Sequence, residues 1–238
     1  MPTTEFNASK RIAVDREGTG PAVVLTHGLG DSAETWNELR PLLGDVETWA
    51  WDMLGHGRSA KPVESDAYSK QGALADLDDV IKEVGREVVL IGHSLGGYLS
   101  QYRAICNCSG VRGLVLIATG PGYRDPERRE KWNRSVRRVA KHFEIPSAAA
   151  QLAEQHDGLV MENLERLTLP VLQIIGERDR RFHGAFEVVK GRLPDVESLR
   201  VPDAGHHVHR SHAQAIGPVV RSFLERLAGP LEARAADS

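Results

Sequence analysis

The apolar run Val88-Val89-Leu90-Ile91 passes directly into Gly92-His93-Ser94-Leu95-Gly96-Gly97, and Leu95, Leu99 and Tyr102 then recur at helical spacing. A β-branched run closed by glycine is the pattern of a buried strand, whereas the later stripe is that of an amphipathic helix. The chain must therefore turn sharply from strand to helix at Ser94. Glycines two residues before and two residues after the serine are what such a turn needs, because side chains there would collide across it.

The rest of the sequence supplies more of both elements. Short strand candidates occur at 22–26, 47–51, 88–92, 113–118, 171–176 and 197–201, each ending near Gly, Pro or Asp. Between them lie helical stripes, such as Leu74, Leu77, Ile81 and Val84, or Ile216, Val220, Phe223 and Leu227. Apolar strands alternating with amphipathic helices predict an α/β fold with a mostly parallel sheet covered on both faces. The alternation breaks once, between Thr119 and Leu167, where Trp132, Val136, Val139 and Phe143 predict a helix and an alanine-rich stretch follows. The expected organisation is a core formed by 1–120 and 159–228, a helical cap insertion at 121–158, and a frayed tail at 229–238.

A serine hydroxyl is a weak nucleophile and needs a base beside it. Asp203-Ala-Gly-His206 follows the last strand candidate, and Gly176-Glu-Arg-Asp179 follows the one before it. Ser94, Asp179 and His206 thus fall at C-terminal strand ends in the order nucleophile, acid, base. The doubled His206-His207 leaves two candidates for the base, of which His206 is preferred. An oxyanion needs two donors. The N–H of Leu95, at the start of the helix, and that of Leu29, in the glycine-rich loop His27-Gly28-Leu29-Gly30, are the candidates. His27, Gly28, His93 and Trp132 are the expected pocket residues.

With these blocks in hand, and with Asp52-Met-Leu-Gly-His-Gly-Arg-Ser59 and Gly205-His206, the chain resembles the α/β-hydrolase family, in particular its capped, esterase-like members. The resemblance spans nearly all of 10–228. It implies an eight-stranded, mostly parallel sheet, a cap after the sixth strand, and hydrolysis through an acyl-enzyme without a cofactor. In this family the turn around His56 is structural, so Asp52 and His56 stay outside the catalytic set. The expected activity is that of a serine hydrolase on a small acyl substrate, a carboxylic ester by default. The alternatives are carbon–carbon bond hydrolysis, thioester cleavage, a lyase reaction, or a non-catalytic receptor for a small ligand.

Competing patterns carry less. Gly28-Leu-Gly30 with Asp52 matches part of a dinucleotide fingerprint, but that reading leaves the block at Gly92 unexplained. His206, His207, His209 and His212 lack the partner spacing of a recognisable metal site, so no metal is expected. A formal net charge of −3 gives no reason to expect nucleic acid or an anionic membrane as partner. No apolar run approaches the roughly 20 residues of a membrane span. The N-terminus lacks the pattern of a secretory signal, and Cys106 and Cys108 are poorly spaced for a disulfide, so a cytoplasmic location is expected. Oligomeric state is left open.

Overall fold

The computed structural model describes residues 3–5 and 11–228. Among them an eight-stranded sheet is built from β1 (Thr3–Glu5), β2 (Val14–Glu17), β3 (Ala22–Thr26), β4 (Glu47–Trp51), β5 (Val88–His93), β6 (Val111–Ile117), β7 (Val171–Gly176) and β8 (Val196–Val201). The spatial order is β1-β2-β4-β3-β5-β6-β7-β8. Pairs from β4 through β8 are parallel, and β1 and β2 add to the β4 edge antiparallel. All six expected strands are present.

Every residue of β3, β4, β5 and β7 is buried, which requires cover on both faces. One face packs on helix α1 (Lys70–Val84) and helix α2 (Leu95–Cys106), through Leu77, Ile81 and Leu99. The other packs on the C-terminal helix through Ile216, Val220 and Phe223, together with Trp36 and Leu39. Helix α1 starts where Ser69 Oγ accepts the Gly72 N–H at 3.0 Å and stops at Gly85, whose φ of +69° an L side chain resists. Trp36 and Trp49 are core residues.

Between β6 and β7 the chain forms helix α3 (Pro126–Ala140), a 3-10 stretch (Ser147–Ala153) and a single turn, α4 (Leu159–Glu162). Asp125 starts α3 by accepting the Arg128 N–H at 2.8 Å, with Pro126 in the first turn, where no amide donor is needed. The alanine-rich stretch, expected as helix, is a 3-10 segment. Two contacts hold it against α3: Trp132 Nε1 donates to Ala153 O at 2.8 Å, and Asn133 exchanges two hydrogen bonds with the Gln155 backbone. After β7 come helix α5 (His183–Arg192), a short α6 (Val208–Ser211) and the C-terminal α7 (Ala213–Ala228). The expected tail at 229–238 lies outside the described residues.

The chain leaves β3 toward β4 on one side, and β5 then lies on the other. This reversal opens a crevice at the C-terminal ends of β3 and β5, where ligands bind in open α/β sheets.

Candidate active site

Ser94 stands between β5 and α2 at φ 50° and ψ −111°, a region non-glycine residues rarely occupy. Its own N–H donates to Ile117 O at 2.9 Å and its carbonyl accepts from Tyr98 N at 3.1 Å, so the surrounding ladder holds the strained turn in place. The flanking glycines are steric necessities. A Cβ on Gly92 would lie 2.4 Å from Gly96 C, and one on Gly96 would lie 2.1 Å from Thr26 O.

Asp179 and His206 come from the loops after β7 and β8. The two loops are tied by Glu177 N–H donating to Val201 O at 2.9 Å and Arg178 N–H to Ala204 O at 2.8 Å. Asp179 is buried, and its Oδ2 lies 2.7 Å from His206 Nδ1. A carboxylate only accepts, so Nδ1 carries the proton and Nε2 is left with a lone pair. Phe182 stacks on the His206 ring at 5.0 Å and 20°, restricting its rotation. His207, the other candidate base, points elsewhere: its Nε2 lies 4.0 Å from Asp31 Oδ2.

The loop after β3 approaches the serine from the opposite side. A Cβ on Gly28 would lie 3.4 Å from Ser94 Cβ and 2.9 Å from His93 Nδ1. Leu29 and Leu95 both border the same cavity as Ser94 and His206. The Leu95 amide opens α2, where helical N–H groups have no intrahelical acceptor.

That cavity has a volume of about 500 Å³. Its walls come from the sheet edge, from Tyr98 on α2, and from the segment between β6 and β7, including Trp132, Val136 and Phe143. Three arginines border it, Arg128, Arg181 and Arg210, and none of them pairs with a carboxylate among the described residues. Arg181 lies over the Trp132 ring, 4.4 Å from its centroid.

Of the expected pocket residues, Gly28, His93 and Trp132 line the cavity, and His27 does not. His27 is fully buried, with Nδ1 2.7 Å from Gly28 O and Nε2 accepting the Met53 N–H at 3.0 Å, so it braces the loop instead. Asp52 and His56 also have structural partners. Asp52 accepts the N–H groups of Ala33 at 2.6 Å and Arg58 at 3.0 Å, and His56 Nδ1 bonds Leu54 O at 3.0 Å. The dinucleotide pattern at Gly28 lacks its structural setting, because β3 leads into a four-residue 3-10 turn (Ala33–Trp36) instead of a helix that could receive a pyrophosphate. Sequence reasoning missed Phe182 and Asp31. The only signal for either was its place beside a loop already singled out.

Burial dominates the electrostatics behind the site. Desolvation holds the imidazoles of His93 and His209 well below the ordinary histidine range, helped by mutual repulsion with the neighbouring histidines. His207 is lowered by the same cause, with His206 adding to it.

Residues 23–217 match the family model described as the alpha/beta hydrolase family. The chain is 29% identical over 259 residues to a Bacillus subtilis (strain 168) protein provisionally named 2-succinyl-6-hydroxy-2,4-cyclohexadiene-1-carboxylate synthase, covering 90% of this chain and 94% of that one. An uncharacterized Mycobacterium tuberculosis (strain H37Rv) protein is 36% identical over 179 residues; the match takes in 74% of this chain and 47% of that protein, so it spans about half of the longer relative. Among solved structures, a thermophilic esterase from Thermogutta terrifontis superposes with a TM-score of 0.77 at 21% identity, covering 96% of this chain and all of the other. Among the described residues no helix is long and apolar enough to cross a membrane.

Proposed function

The chain belongs to the alpha/beta hydrolase family, and on that premise we propose that it is a serine hydrolase cleaving a small carboxylic ester. The observation that carries this reading is the meeting of a strained, half-buried serine and an Asp179-bound His206 at one cavity. Ser94 Oγ attacks the ester carbonyl while His206 Nε2 takes its proton. Asp179 fixes the imidazole tautomer and stabilises the imidazolium. The Leu29 and Leu95 N–H groups receive the developing oxyanion. His206 then protonates the departing alcohol, and a water activated by the same nitrogen releases the acid. The helical segment between β6 and β7 serves as a cap whose side chains size the substrate. Two free, exposed cysteines, Cys106 and Cys108, favour a reducing, cytoplasmic setting.

The three arginines without carboxylate partners favour a substrate that itself carries a carboxylate. The similarity to a relative named for making a carboxylate points the same way and supports a second reading, a lyase-type reaction run by the same three residues. A fluorophosphonate probe, which labels activated serines, tests the nucleophile: the adduct should map to Ser94 by mass spectrometry, and a protein left unlabelled would argue against it. Comparison of p-nitrophenyl hemisuccinate with neutral p-nitrophenyl esters tests the charge preference. Arg181→Met should lower kcat/KM for the anionic ester about ten-fold and leave the neutral esters within two-fold, roughly the value of one charge-assisted hydrogen bond.

A further inference from the structure

His93 has no part in the proposed chemistry, yet one of its nitrogens is specified. Its Nε2 lies 3.1 Å from the main-chain oxygen of His206. A carbonyl only accepts, so Nε2 carries the proton and Nδ1 presents a bare lone pair. That Nδ1 is buried and meets no hydrogen-bond donor among the described residues. The same is true of Asp31 Oδ2, while Asp31 Oδ1 already accepts the Ser32 N–H at 3.0 Å. His207 Nε2 completes the group, 4.0 Å from Asp31 Oδ2. One donor atom from each of Asp31, His93 and His207 lies within 4.8 Å of the other two.

Electron-pair donors gathered this closely need a proton donor or a cation between them. Two imidazole nitrogens and one carboxylate oxygen are the donor set of a three-ligand zinc site with an open fourth position. The hydrogen bond from His93 Nε2 to a backbone carbonyl is the support that metal-bound histidines use to fix ring orientation. All three residues border the substrate cavity, so the open position faces it. We propose that Asp31, His93 and His207 form a binding site for a borderline divalent transition metal, of the zinc type, beside the serine site. Zinc bonds of roughly 2.0–2.1 Å bring tetrahedral donors to about 3.4 Å of one another, so the cluster contracts on loading. The His207 side chain, 52% exposed, has the freedom to supply that movement, whereas His93 is fixed.

The three ligands come from the loop after β3, the end of β5 and the loop after β8, which is why no motif in the sequence announced them. The proposal stands whether or not Ser94 is the nucleophile. Chelator-treated protein dialysed against micromolar zinc chloride, then assayed for metal content, tests it. Wild type and Ser94→Ala should each hold one zinc per chain, with thermal unfolding shifted upward. Asp31→Asn and His207→Gln should each weaken binding at least about ten-fold. Circular dichroism of the metal-free variants checks that they are folded, and His142→Gln, altering an exposed histidine that is not one of the three ligands, should bind as wild type does. Absence of stoichiometric zinc in wild type, or its retention by both Asp31→Asn and His207→Gln, would overturn the proposal.

Discussion

His206 Nδ1 lies 2.7 Å from Asp179 Oδ2, a contact between loops leaving the neighbouring parallel strands β7 and β8. Close backbone approach sets this distance. A Cβ on Gly176 would sit 2.4 Å from both Ala204 O and Gly205 O, so only glycine lets the β7 loop pass under the segment that carries His206. Asp179→Asn keeps the shape but can donate to Nδ1, which favours the tautomer with the proton on Nε2. Ester hydrolysis by this variant should fall about 10³–10⁴-fold in kcat with the fold intact. A loss below ten-fold would remove Asp179 from the mechanism.

The strand-to-helix turn makes a steric prediction. Gly96→Ala would place a methyl group 2.1 Å from Thr26 O, backbone that cannot step aside. The substitution should cost at least about 3 kcal/mol, read as a lower urea midpoint at constant slope. Gly191→Ala in α5 is the contrast, since nothing lies within 4 Å of its added Cβ. It should be neutral or stabilising by up to about 1 kcal/mol.

Four buried histidines make stability depend on pH in a definite direction. Desolvation lowers His27, His93 and His209, and brings His56 down to about 3. In the unfolded chain each returns to about 6.5 and takes up protons that the folded form refuses. Their contribution is therefore fully present above about pH 6.5 and is lost as pH falls toward the folded values. The slope is about 1.4 kcal/mol per pH unit for each fully neutral histidine. Urea unfolding at pH 7.5 and 5.5 should show a clear drop in stability at the lower pH. Equal stability at both would mean that these imidazoles are charged when folded.

Much of this could be read in the sequence, for identifiable reasons. The parallel strands were legible because burial on both faces makes runs such as Ala22-Val-Val-Leu-Thr26 almost wholly apolar. The turn at Ser94 was legible because sterics leave only glycine at positions 92 and 96. Strand β2 was not, because in Val14-Asp-Arg-Glu17 only Val14 is buried and no apolar pattern forms. The helical stripe through Phe143 ran past its helix, which ends at Ala140, because Phe143 packs against Gly30 across the cavity and not along α3. His27 looked like a pocket residue from its place beside Gly28; only the orientation of its ring, with Met53 donating to Nε2, turns it inward. Phe182 and Asp31 act through contacts across loops, which spacing along the chain does not encode.

The most direct test is hydrolysis of p-nitrophenyl esters from acetate to decanoate by wild type and Ser94→Ala side by side. The expected result is clear wild-type turnover with a chain-length optimum suited to a cavity of about 500 Å³, and a loss of at least about 10³-fold in the variant. A Ser94→Ala protein that hydrolyses these esters as fast as wild type would contradict the assignment of Ser94 as nucleophile.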